Sequence, residues 1–235
     1  MTADFYKRTE ALLGNSAVSR LKTARVALFG VGGVGSAALE GLVRSGVGNI
    51  DLFDHDTISP SNLNRQLMTD SSNIGKPKAE EAAKRARLIN PEANITAHPV
   101  FYLPDTAEQV DLSKYDYIID AVDTLTAKLL LVEKAKEAGV PIISCLGTGN
   151  KTDITRLRVS DIKKTEICPL ARRMRKELKE RGINELLCVW SDEKPHSAAD
   201  TGELKGDRPA PASAIFVPAA AGLLLAKEVV EYLSK

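Results

Sequence analysis

The feature that most constrains this chain is a glycine cluster, Gly30-Val31-Gly32-Gly33-Val34-Gly35. It lies between an apolar run at 26–29 and a helical pattern at 34–45. Gly30, Gly32 and Gly35 fill a GxGxxG spacing, and each glycine has its own task. The first permits a tight turn, the second a close backbone approach to phosphate, the third close packing of helix on strand. The helix start offers unpaired N–H groups and a positive dipole end to an anion. A second apolar run, 50–53, ends in Asp54, 24 residues after Gly30. A carboxylate there can accept hydrogen bonds from ribose hydroxyls. Strand, glycine turn, helix, strand and acid in this order call for a βαβ unit and a parallel sheet.

The alternation continues. A helix is expected over 77–89, strands over 95–100 and 117–120, a helix over 125–138 and a strand over 142–144. Residues 5–22 read as a helical lead-in and 54–75 as a polar loop. The expected fold is therefore α/β: a Rossmann-like, mostly parallel sheet with helices on both faces and a C-terminal extension. In that extension a strand is expected over 156–160, a basic helix over 163–181 and a short strand over 187–190. Residues 191–213, polar and rich in Pro, Gly and Ala, read as a long mobile loop, and 216–233 as an apolar helix packed on the sheet. One domain over 1–235 is expected, with a nucleotide-binding core at 1–150 and a substrate-side extension at 151–235.

Composition narrows the class. The formal net charge is +1, so a nucleic-acid role needs a local patch of cations. Cys145, Cys168 and Cys188 are too far apart in sequence for a CxxC zinc site, and an odd count argues against a disulfide framework. No run approaches the ~20 apolar residues of a membrane span. A cytoplasmic protein with no membrane or DNA partner is the expectation.

The glycine loop alone would favour NAD. Three further features turn the reading toward ATP. Ser61-Asn62-Leu63-Asn64-Arg65-Gln66 follows Asp54; Arg65 can neutralise a triphosphate, and the amides can orient it. In Gly75-Lys76-Pro77-Lys78, Lys78 opens a helix, where an ammonium group can sit over phosphates. Asp120-Ala121-Val122-Asp123 ends a strand at the ligand-facing edge of the sheet, and Asp123 can hold Mg²⁺ or simply cap the next helix.

Taken together, FGVGGVGS, LFDHDTISPSNLNRQ, GKPKAE and IIDAVD resemble the adenylating superfamily of ubiquitin-activating and sulfur-carrier-activating enzymes. The resemblance implies ATP and Mg²⁺ as cofactors, with a monovalent cation as a further candidate. It implies Gly30, Gly32, Gly33 and Gly35 around the nucleotide, and Asp54 on the ribose. Asn62, Arg65, Gln66 and Lys78 would contact the phosphates, and Asp123 would organise the metal. It also implies a homodimer in which Arg8 of one copy reaches the ATP of the other. Arg65, Lys78, Asp123 and Arg8 are thus the catalytic candidates.

CPLARRMRKELKERGI, VWSDEKP and PASAIFVPAAAGLLLAKEVV are similar to the transfer-RNA-modifying branch of that superfamily, the threonylcarbamoyladenosine dehydratases. That branch implies adenylation of the threonyl carboxylate, then ring closure by a nitrogen of the same side chain with release of AMP. Winding 163–181 at 100° per residue puts Ile167, Leu170, Ala171, Met174 and Leu178 on one face. Arg172, Arg175, Lys176 and Lys179 fall opposite, as RNA-backbone binding or a plain solvated face would have them.

Three alternatives stay open. One is activation of the C-terminus of a ubiquitin-like sulfur carrier, with transfer through Cys168 or Cys188. Another, of a different class, is an NAD-dependent oxidoreductase. The third is a non-catalytic, nucleotide-dependent binding module. His55, His98 and His196 show no ligand spacing and are assigned no role.

Overall fold

Parallel strands buried on both faces read as near-continuous apolar runs, and the central strands here do so. The computed structural model describes residues 5–199, 202, 204–205 and 208–235. In chain order, α1 (Lys7–Leu13) and α2 (Asn15–Thr23) precede β1 (Arg25–Phe29), α3 (Gly33–Ser45) and β2 (Asn49–Phe53). Next come α4 (Lys78–Ile89), β3 (Asn94–His98), the single turn α5 (Pro104–Ala107), β4 (Tyr117–Asp120), α6 (Leu125–Glu137) and β5 (Ile142–Cys145). The last third holds β6 (Leu157–Asp161), α7 (Pro169–Glu180), β7 (Leu187–Ser191), the two-residue strands β8 (Leu204–Lys205) and β9 (Arg208–Pro209), and α8 (Phe216–Leu233).

Seven strands form one sheet in the order β3-β2-β1-β4-β5-β7-β6. All neighbours are parallel except β6, which runs antiparallel to β7 at the edge. Side chains alternate between two cores. Val26, Leu28, Ile50, Leu52 and Ile119 join the core that includes α3 and α8 residues. Ala27, Phe29, Phe53 and Ile118 join the other, beneath α6 and α7. Small residues let α8 lie directly on α3: a Cβ on Gly222 would stand 2.2 Å from the Val34 carbonyl oxygen.

The order reverses between β1 and β4, with β2 and β3 to one side and β5 to the other. Such a switch point opens a crevice at the carboxyl ends of the strands, where ligands bind in open α/β sheets.

The structure corrects several expected elements. The lead-in is two helices, broken at Gly14, whose φ is +89°. The basic helix starts at Pro169 rather than 163. Proline disfavours helical backbone in the residue before it, and Cys168 is extended. A short 3₁₀ turn, Ile162–Lys164, stands where the first helical turn was expected. Part of the loop expected over 191–213 lies outside the described residues. Its described ends are held in place: the Glu193 carboxylate accepts from the N–H groups of Thr152 (3.0 Å) and Asp153 (3.1 Å). The Asn150 N–H donates to the Ala212 carbonyl at 2.8 Å.

Candidate active site

A cleft of about 560 Å³ lies at the switch point. Its walls carry Gly30, Gly32, Gly33, Asp54, Asn62, Arg65, Gln66, Lys78 and Asp123, nine of the sequence candidates. Gly35 is absent from the wall because its task is packing. A Cβ there would lie 1.9 Å from the Gly30 carbonyl oxygen, so only glycine lets α3 start against the loop. Gly30 has φ +84°, and a Cβ on it would meet the Ala121 carbonyl oxygen at 2.7 Å. The loop is thereby wedged against the exit of β4.

Asp54 ties the end of β2 to this loop. Its Oδ2 accepts from the Val31 N–H at 2.7 Å, and its Oδ1 from the Asp56 N–H at 2.9 Å. Burial pushes its pKa above the ordinary carboxylate value, although these hydrogen bonds and Lys78 pull the other way.

The 59–66 segment is a compact turn. Asn62 Oδ1 accepts from the Ser59 N–H at 3.1 Å. Arg65 donates to the Ser61 carbonyl at 2.8 Å and to Asn64 Oδ1 at 2.9 Å. Its stem lies over Gly33, where a Cβ would be 3.3 Å from Arg65 Cγ. Gln66 is buried, and its Oε1 accepts no hydrogen bond within the protein. A buried amide oxygen without a donor is costly, and on a cleft wall it is a place for a ligand's donor. Lys78, the first residue of α4, is largely buried and donates to Asp56 Oδ2 at 2.7 Å.

Asp123 is exposed on the turn between β4 and α6. Thr124, not Asp123, occupies the N-cap of α6, and it donates to Asp123 Oδ1 at 3.3 Å.

Arg8 is the one catalytic candidate off this wall. It lies exposed on α1. The neighbouring Tyr6 packs against Gly46, at the carboxyl end of α3. The cleft lies at the amino end of that helix, about 20 Å away at 1.5 Å per residue over its 13 residues.

Four residues not singled out from sequence shape the site. Asp56 orients Lys78. Lys128 lines the floor with its ammonium group buried; it donates to both Asp120 oxygens at 3.0 Å and to the Cys145 carbonyl at 2.6 Å. That bridge binds the exits of β4 and β5. Asn64 uses its Nδ2 to hold the Ser213 carbonyl at 2.8 Å, while its Oδ1 receives Arg65. Tyr102 stands edge-on to Phe29 at 4.9 Å, its hydroxyl buried. A lysine inside the apolar run Ala127–Val132 was the visible signal for Lys128. His55, assigned no role, lines the cleft stacked on Phe101 at 4.1 Å.

All three cysteines are buried. Burial pushes the Cys145 and Cys188 thiols up to about 12, far from the range of a reactive thiolate. Cys168 stands at the N-cap of α7 without a side-chain cap bond. Among the described residues no cysteine belongs to a metal-capable cluster.

On α7, Ala171, Met174 and Leu178 are buried and Leu170 lines the cleft. Ile167 falls outside the helix, half exposed at φ +60°. Arg172, Lys176 and Lys179 are exposed. Arg175 turns back to the protein: its guanidinium donates to the Thr165 carbonyl at 2.6 Å and to the Thr165 hydroxyl.

The chain is similar to known proteins in sequence and in fold. The sequence model of the ThiF family matches residues 6–235. The tRNA threonylcarbamoyladenosine dehydratase of Bacillus subtilis (strain 168) is 38% identical over 240 residues, covering 98% of this chain and 94% of the relative. The solved structure of the E. coli tRNA N6-threonylcarbamoyladenosine dehydratase in complex with AMP superposes with TM-score 0.89 at 31% identity, covering 99% of this chain and 96% of that one. The same enzyme in complex with ATP superposes with TM-score 0.86 at 31% identity, covering 98% and 93%.

Proposed function

The chain belongs to the ThiF family, and from that premise we propose that it uses ATP to adenylate the threonyl carboxylate of threonylcarbamoyladenosine in transfer RNA, which then closes on itself with net loss of water. The observation that carries this is the meeting of the glycine loop, Arg65, Gln66, Lys78 and Asp123 in one cleft. It joins a phosphate cradle, two cations and a carboxylate at a switch point, as activation by a nucleoside triphosphate requires. The kinship with dehydratases over nearly the whole chain supplies the acceptor.

In this reading a carboxylate oxygen of the acceptor attacks the α-phosphate, and pyrophosphate leaves. A nitrogen of the same side chain then attacks the activated carbonyl carbon. AMP departs with that carboxylate oxygen, and the nitrogen gives up its proton. The second step is intramolecular, so proximity supplies much of its rate. No protein nucleophile is needed, in keeping with thiols that are buried.

The protein's work is placement and charge. Asp54 fixes the loop and takes the ribose. Arg65 and Lys78 offset the triphosphate, Asn62 and Gln66 orient it, and the glycine loop lets backbone approach the α-phosphate. Asp123 is an exposed carboxylate on the cleft wall. Mg²⁺ is bound through one or two carboxylates, with waters and phosphate oxygens completing its shell, so such a carboxylate can hold it. Held by Asp123, the ion would neutralise charge on the departing pyrophosphate. A homodimer would bring Arg8 of one copy to the triphosphate of the other.

Pyrophosphate–ATP exchange tests the reading. Exchange should depend on modified transfer RNA, fall at least ~100-fold in Asp123→Ala, and survive Cys168→Ala. Exchange driven by a ubiquitin-like sulfur carrier, and abolished in Cys168→Ala, would put the sulfur-carrier alternative in its place.

A further inference from the structure

A second concavity, of about 500 Å³, lies between α7, the 162–164 turn and residues 183–184. Its size is within the ~300–1,000 Å³ range of small-ligand sites. The apolar floor is narrow: Ile183 is half-buried, while Ile162 and Leu178 are only 2% and 1% exposed. The rim is cationic: Lys163, Arg172, Lys176 and Lys179 stand around it, and among the described residues no carboxylate lines it.

Two of these cations have acidic neighbours, Lys163 with Glu185 at 4.0 Å and Lys176 with Glu180 at 3.9 Å. Both pairs are long and exposed, so they hold the ammonium groups weakly against a competing phosphate. The groove also has a fixed shape. Arg175 fastens the end of the 162–165 turn to α7 through Thr165. It acts as a strut rather than as a contact for ligand.

Position joins the groove to the catalytic cleft. Leu170, in the first turn of α7, lines the cleft. At 1.5 Å and about 100° per residue, Lys176 and Lys179 stand about 9 and 13 Å farther along the helix axis than Leu170 and about 120° and 180° around it. An RNA strand with one nucleotide in the cleft therefore crosses over α7 to reach the groove, and the nucleotide it places there is not the immediate neighbour.

We infer that this groove receives an unstacked nucleotide of the same RNA strand whose modified adenosine enters the cleft. This rests on the transfer-RNA reading above. The base lies on Ile183 and the alkyl stems of the surrounding lysines, and the flanking phosphates meet Lys163, Arg172, Lys176 and Lys179. Charge complementarity selects a polyanion, and the apolar floor selects a splayed base over a phosphate alone. Recognition of single-stranded RNA loops takes this form: bases are unstacked against the protein while cations track the backbone.

The test is binding of an anticodon stem-loop carrying the modified adenosine, measured at several salt concentrations. AMP formation from the free modified nucleoside is followed in parallel. Ile183→Ser should raise the stem-loop Kd about tenfold with the salt slope unchanged, because it removes only base contact. The Lys176→Ala/Lys179→Ala double variant should flatten the slope of log K against log salt by about 1.4, two single-strand phosphate contacts. Both should form AMP from the nucleoside at the native rate, which also shows that they are folded. Native Kd and slope in both variants would overturn the groove while leaving the RNA reading intact. A native protein that neither binds the stem-loop nor forms AMP from it would overturn both.

Discussion

At the scale of the residue, Asp54 shows how burial and function pull against each other. Its two backbone hydrogen bonds favour the carboxylate, but desolvation is the larger influence and lifts its pKa. A folded pKa above the unfolded value means that the native state holds this proton more tightly. Its stabilising effect is complete below the unfolded pKa, about 3.9, and is lost as pH rises through the folded value. Protonating Asp54 therefore does not itself unfold the protein; it removes an acceptor from the ribose. ATP affinity should fall with pH from above the ordinary carboxylate range, ahead of any loss of fold attributable to this group. Asp54→Asn should bind ATP about ten- to a hundredfold more weakly and lose that pH dependence. Calorimetric ATP titration across the acid range, beside circular dichroism, checks both. Asp54 was legible in the sequence because its partner lies on a glycine loop with a recognisable spacing. Arg65, Gln66 and Lys78 were legible for the same reason, as members of short local motifs. Lys128 and Asp56 were not, because their roles come from contacts formed only when strand ends and loops converge. Arg175 shows the opposite error: a helical wheel places it with the exposed cations, but a wheel cannot see Thr165.

At the scale of the element, the parallel strands could be read because their apolar runs are bounded by glycine and acid. The C-terminal third was harder. Pro169 shortens the basic helix, and the antiparallel edge strand β6 carries no mark of its direction in its own residues. The composition of 191–213 speaks only of a loop, whereas its described ends are stitched down, the first to Thr152 and Asp153 and the last beside the site. Asn64 is the clearest stitch, joining the phosphate-binding turn to Ser213 while bracing Arg65. Asn64→Asp separates the two tasks. The carboxylate still accepts from Arg65 but cannot donate to the Ser213 carbonyl. The expected result is an ATP KM within about twofold of native and a transfer-RNA KM raised about threefold to fivefold, one lost exposed hydrogen bond. Steady-state kinetics with each substrate varied in turn measures this; a change confined to ATP would place the role of Asn64 elsewhere.

At the scale of the whole molecule, the cleft holds every expected catalytic group but Arg8. Sequence pattern does not reach strand order, and the structure leaves Arg8 off the cleft of its own chain; its action across two copies is the proposal that subunit mixing tests. Homodimeric Arg8→Ala and Asp123→Ala should each be inactive. Mixed and allowed to exchange subunits, they should recover about a quarter of native activity, since half the dimers regain one intact site of two. No recovery despite demonstrated exchange would confine each site to one chain. The central claim, that a carboxylate of the RNA is activated on ATP, is tested most directly by following an atom. Transfer RNA carrying heavy oxygen in the threonyl carboxylate is turned over with unlabelled ATP, and the AMP is analysed by mass spectrometry. The account predicts one heavy oxygen in the phosphate of AMP for each ring closed. Unlabelled AMP alongside a cyclised nucleoside would contradict it.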